Sequence, residues 1–89
     1  MSAPILRDVS PNAGDPGDRF TVQIEGDTFL GTSACDFGLG VIVERFVVKS
    51  DGLVEAKIAI SSQASSGPRD VSLANPSGIG VLRSGFRVR

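Results

Sequence analysis

The chain has no histidine, tryptophan or tyrosine, and its one cysteine is Cys35. Without imidazole, Ser-His-Asp and Cys-His nucleophile systems, histidine-ligated metals and the commonest general base are excluded. Without Trp and Tyr the usual stacking platform for sugar rings is missing, which argues against a conventional carbohydrate-binding module. A single cysteine forms no internal disulfide, so a hydrophobic core must hold the fold unaided. Neither sign of charge dominates: Lys+Arg number 9 and Asp+Glu 10, for a net charge of −1. No basic run is present, so the electrostatic footprint of a nucleic-acid binder is lacking. Long apolar runs are also missing; Val41 to Val48 is interrupted by Glu44 and Arg45 and is too short to cross a bilayer. The opening MSAPILRD has no basic segment followed by an apolar one. The expectation is therefore either an intracellular chain or a module whose export signal belongs to a longer parent.

What is present is one small domain's worth of sequence, 89 residues with 40% apolar and 21% charged, enough for a single core. Ser10 to Phe29 organises it. A loop rich in Pro, Gly and Asp (Pro11–Gly14, then Asp15–Asp18) reads as two successive turns. It feeds Arg19–Glu25, in which Phe20, Val22 and Ile24 alternate with Thr21, Gln23 and Glu25. That period of two places one face in a core and the other in water. Gly26 to Gly31 is a bend, with Phe29 turned back over the end of the core.

Further strands are expected on both sides. Pro4–Val9 precedes, and Ser33–Phe37 puts Cys35 and Phe37 together. Val41–Lys49 reads as a short strand, a kink near Glu44–Arg45 and a second strand. Ser50-Asp51-Gly52 predicts a tight hairpin into Leu53–Ile60, with Val54, Ala56, Ile58 and Ile60 on one face. Ser61–Gly67 is a polar loop ended by Pro68. Arg69–Ala74 turns Val71 and Leu73 inward, and Asn75-Pro76-Ser77-Gly78 fits a turn. Ile79–Leu82 and Gly85–Val88 close the fold in one piece or two, with Phe86 and Val88 inward. No segment shows a helical period over ten residues. Several short strands between turn signals indicate an all-β sandwich of about seven strands with no substantial helix.

Three stretches carry a family resemblance: ILRDVSPNAGDPGDRFTVQIEGDTF, CDFGLGVIV and SGPRDVSLANPSGIGVLRSGFRV. In that order and spacing the chain resembles the IPT/TIG domains, which are early-set immunoglobulin-like modules, and among them the bacterial type. The resemblance covers nearly the whole chain and implies an immunoglobulin-like β-sandwich as a single domain, residues 1–89. It further implies a spacer, an adhesive or interaction module, or an accessory domain beside a catalytic one, in a larger surface or exported protein. The DNA-contacting, Rel-like branch uses basic loops that this chain does not have. A fold does not fix a function.

Residues with chemical potential each have a structural explanation. Asp15, Asp18 and Asp27, with Asp8 near in sequence, are calcium candidates because calcium takes oxygen ligands from loops; Asp is equally an ordinary turn former. Glu25, Glu44 and Glu55 fall at outward strand positions or at the kink, where solvated carboxylates belong. Gly38-Leu39-Gly40 lacks the Lys and the strand-to-helix context of a phosphate loop. Cys35 alternates with Phe37 and reads as an inert thiol. The Val41–Val48 run is more apolar than a half-exposed strand needs: either one face meets a partner or a neighbouring copy, or the kink turns both pieces inward.

These readings predict a non-enzymatic module without cofactor, nucleic-acid partner or membrane insertion, acting through a protein partner or neighbouring domains. Two alternatives stand beside it. One is a stand-alone phage virion protein, a capsid-decorating or tail-appended domain, suggested by Met1 and the lack of an export signal. The other is an accessory polysaccharide-binding domain.

Overall fold

The alternation read in Arg19–Glu25 sets the architecture, because a strand with one apolar face needs a second sheet to cover it. The computed structural model describes residues 2–89. Its elements are β1 (Ile5–Ser10), β2 (Ala13–Gly14), β3 (Arg19–Asp27), β4 (Ala34–Asp36), β5 (Val41–Ser50), β6 (Leu53–Ile60), β7 (Gly67–Asn75) and β8 (Gly78–Val88), with no helix among the described residues. One sheet has the order β1-β3-β6-β5 and the other β2-β8-β7-β4. This is the ABED-over-CFG order of the constant-type immunoglobulin sandwich. The eighth strand, against about seven expected, arises because the first strand changes sheets. β1 pairs antiparallel with β3, and β2 then pairs parallel with β8 in the opposite sheet. The turn expected at Pro11–Gly14 is thus partly a strand, too short to show any alternation.

The inner faces are those expected. Val22 and Ile24 of β3 and Val54, Ala56, Ile58 and Ile60 of β6 meet Val71 and Leu73 of β7 and Phe86 and Val88 of β8, all buried. Phe86 is the centre: the Phe37 ring meets it edge-on at 5.5 Å, and Phe20 lies tilted at 6.2 Å. Phe29 closes the core from the bend after β3 and is fully buried. Each such side chain contributes roughly 1.5–3 kcal/mol by leaving water.

Several boundaries differ from the sequence reading, among them the end of β3, which continues through Gly26 to Asp27 where a bend is expected. β5 is one strand, not two: the kink is a bulge, with Val43 opposite Ile58 and Arg45 opposite Lys57, so that Glu44 is the extra residue. β7 starts at Gly67 and includes Pro68, at a level where β4 no longer flanks it and the missing N–H has no ladder partner to lose. β8, expected in one piece or two, is one piece from Gly78 to Val88, with an irregularity opposite Arg69–Val71.

The domain measures 38 × 20 × 18 Å. The first described residue, Ser2, lies beside the β7–β8 turn, where Asn75 Nδ2 donates to its carbonyl at 2.9 Å. The end lies where β8 finishes, with Arg89 N donating to the Gly14 carbonyl at 2.9 Å. The two are separated by the length of β8, about 30 Å at ~3.3 Å per residue.

Candidate interaction surfaces

Because both inner faces are consumed by the core, everything the molecule offers to a partner lies on the outer faces, the edges and the poles. The outer face of the β1-β3-β6-β5 sheet is polar apart from Ile42 and Val47 on its edge strand β5. Arg19 Nε and Nη2 donate to Glu44 Oε1 and Oε2 at 3.1 and 2.7 Å, a fork-to-fork pair that crosses β6 from Arg19, opposite Ala59, to the bulge between the levels of Ile58 and Lys57. Hydrogen bonding from Arg19 holds the Glu44 carboxyl below the ordinary carboxylate value. Glu55 is approached by Lys49 Nζ at 3.9 Å and by Gln23 Nε2 at 3.4 Å. Glu25 belongs to the same exposed row, opposite Leu53.

The outer face of the other sheet has a different character. Its register places Ala34, Ala74 and Ile79 in one row, and Asp36, Ser72 and Val81 in the next. Ile79 is 67% exposed and Val81 50%, and Leu39, in the glycine-flanked turn below them, is 87% exposed. Small residues on β4 and β7 leave these side chains standing above the sheet. An open depression of about 420 Å³ lies between Val81 and Leu39, beside Asp36 and Arg69.

Arg69 fixes that lower pole. Its Nε donates to Leu39 O at 2.6 Å, Nη2 to Ser65 O at 2.7 Å, and Nη1 to Gly67 O and Pro68 O at 3.2 and 3.1 Å. One guanidinium therefore ties the 38–40 turn to the 61–68 segment. The turn Gly38-Leu39-Gly40 is held by this arginine and by Gly38 N donating to Asp36 Oδ1 at 3.1 Å. Nothing in the sequence around Arg69 signalled this role, because its acceptors are main-chain carbonyls.

The calcium candidates are not brought together. Asp18 Oδ2 accepts from the Asp15 N–H at 2.9 Å, an ordinary turn contact, and Asp15 Oδ1 accepts from Arg89 Nε at 3.1 Å. Asp27 sits at the opposite end of β3 and pairs with Arg7; Asp8 faces Glu25 across the β1–β3 ladder. Among the described residues no three of His, Cys, Asp or Glu are grouped to hold a metal ion. Cys35, paired with Leu73 on β7, packs against the core. Burial, and secondarily the charge of Asp36, pushes its thiol up to about 12, so the thiol stays protonated at neutral pH.

No family model matches the chain, and no curated protein matches it in sequence.

Proposed function

We propose that the protein is a non-catalytic immunoglobulin-like module of the IPT/TIG type, working as a spacer or protein-interaction domain within a larger surface or exported protein or enzyme. The observation that carries this reading is the placement of the chain's two ends. Ser2 is held at one pole by Asn75, and Arg89 at the other by Gly14 and Asp15. A module entered at one pole and left at the other adds most of its 38 Å length to the polypeptide that contains it. Ties at both ends keep that length rigid up to the junctions.

The test is the mass of the native gene product, read by immunoblot with an antibody against this domain. A band far above 9.2 kDa is the expected result. A band at 9.2 kDa sinks the spacer reading.

A second reading, a stand-alone virion-decorating protein, is favoured by the exposed Ile79, Val81 and Leu39 on one outer face. A spacer has no need of such a patch, and contiguous exposed apolar surface commonly marks a contact site. Co-sedimentation of a 9.2 kDa band with virus particles is what this reading predicts.

A further inference from the structure

β5 is the outermost strand of its sheet; β6 covers one edge and, among the described residues, no strand covers the other. A free edge of ten residues is a template for another strand. Along it, Val41 and Val43 face the core before the bulge, and Phe46 and Val48 face it afterwards. Ile42 and Val47 face outward, 60% and 49% exposed. The extra residue at Glu44 thus shifts the alternation by one. The strand thereby becomes symmetric about the Glu44–Arg45 peptide. Outward in either direction come an inward residue (Val43 or Phe46), an exposed one (Ile42 or Val47) and another inward one (Val41 or Val48).

We propose that the free edge of β5 is a self-association site. It takes β5 of a second copy of this chain, antiparallel, about a twofold axis at Glu44–Arg45, and joins two four-stranded sheets into one. In this register Val43 lies opposite the second copy's Phe46, and Ile42 opposite the second copy's Val47. Every inward residue meets an inward residue and every exposed one an exposed one. Glu44 lies beside the second copy's Arg45, and the symmetry repeats the contact.

The charges point to the same occupant. Arg45 has no carboxylate partner among the described residues. Within its own sheet it stands directly opposite Lys57, a like-charge arrangement that destabilises a ladder. The second copy's Glu44 supplies the missing carboxylate. Glu44 can serve both arginines, because each oxygen holding Arg19 keeps a further acceptor position. The bulge sets the specificity. A regular strand laid along Val41–Val43 falls out of phase beyond Glu44, which is how bulges guard edges. A second copy carries the same extra residue at the same place and stays in phase on both sides of it.

This inference goes beyond the spacer reading, and its failure leaves that reading untouched. The test is sedimentation equilibrium on the intact chain over a range of concentrations. The expected mass rises from 9.2 kDa toward twice that value. Arg45→Glu places carboxylate against carboxylate on both sides of the axis, and Glu44→Arg places guanidinium against guanidinium. Each alone should weaken association on the order of a hundredfold, since like charges juxtaposed at an interface cost several kcal/mol. An equimolar mixture of the two variants should regain it, because each copy then offers the opposite charge. Should Glu44→Arg fail to fold without its Arg19 contact, Arg45→Glu, at an exposed position with no ion partner to lose, decides the matter alone. A mass that stays at 9.2 kDa into the millimolar range overturns the proposal. So does association that Arg45→Glu leaves unchanged, which would place the contact elsewhere, such as the Ile79–Val81 face.

Discussion

The side-chain amide of Asn75 donates to the carbonyl of Ser2 at 2.9 Å, and its oxygen accepts from the Ser77 N–H at 2.8 Å. Asn75 is the one buried polar residue among the described residues. It joins the start of the chain to the β7–β8 turn and, at 3.5 Å, to the Thr28 carbonyl. Asn75→Ala removes the hydrogen bonds that this buried side chain makes to the main chain of Ser2, Ser77 and Thr28, which at a net ~0.5–1.5 kcal/mol each should cost about 1–3 kcal/mol. Urea unfolding of the variant should show that loss with an unchanged slope. A loss below ~0.5 kcal/mol, less than one net hydrogen bond, would mean that water replaces the amide at all three contacts.

Gly26 and Gly80 admit β1 and the residues before it. A Cβ on Gly26 would lie 1.8 Å from the Ile5 carbonyl oxygen, and one on Gly80 would lie 1.8 Å from that of Pro4. Neither obstacle can rotate away, because both are backbone. Gly26→Ala and Gly80→Ala should each cost about 3 kcal/mol or more, at or above the upper end for overpacking. Gly17, with nothing within 4 Å and φ of 90°, is the control. Gly17→Ala meets only the backbone penalty of roughly 1–2 kcal/mol. Thermal melts of the three variants test this ordering, and a Gly80→Ala as stable as Gly17→Ala would contradict the close approach.

Which of these features the sequence announced follows from how far apart their partners lie. Val22, Ile24, Val54, Ile58, Val71 and Leu73 declare their inward face by alternation with immediate neighbours, and the Asp51–Gly52 hairpin is equally local. The course of β5 was half legible. Two apolar pieces around Glu44–Arg45 admitted either a partner-facing surface or two inward-facing pieces. The bulge produces inward residues on both sides while leaving Ile42 and Val47 outside. Asn75, Arg69 and β2 were not legible as what they are. Asn75 reads as a turn residue because its acceptor at Ser2 is at the other end of the chain. Arg69 reads as a strand residue because its acceptors are carbonyls, which every residue carries. β2 pairs two residues with Arg87 and Val88, and two residues have no period. The three aspartates failed as a calcium set for the converse reason: neighbours in sequence around β3, they are distributed to its two ends by the strand itself.

Phe86 touches both other rings of the aromatic cluster, Phe37 and Phe20, and is fully buried. Phe86→Ala removes the ring both sheets close upon and should cost about 3–5 kcal/mol, a large part of the stability of a domain this small. Ile24→Asp is harsher, since it puts an unpaired carboxylate at a fully buried position. Circular dichroism should show Ile24→Asp unfolded at room temperature and Phe86→Ala folded with a markedly lower Tm. A folded Ile24→Asp would contradict the assignment of the inner face.

Cys35 reports on opening of the β4 edge. Its thiol is raised from 9.0 to about 12, by burial first and by the charge of Asp36 second. At pH 8 that rise lowers the thiolate fraction roughly a thousandfold relative to an unfolded chain, and thiolate is the reacting form. Reaction with a thiol reagent in native buffer should therefore be markedly slower than in urea. The same rise fixes a sign for stability against pH. A group whose pKa is higher in the folded state contributes stability that is complete below its unfolded value and is lost as pH rises toward the folded one. Unfolding free energy should hold steady up to about pH 9 and then decline, and Cys35→Ser should remove the part of the decline due to this group. A native thiol that reacts as fast as the denatured one would mean that β4 is not packed against β7 and the core beneath it.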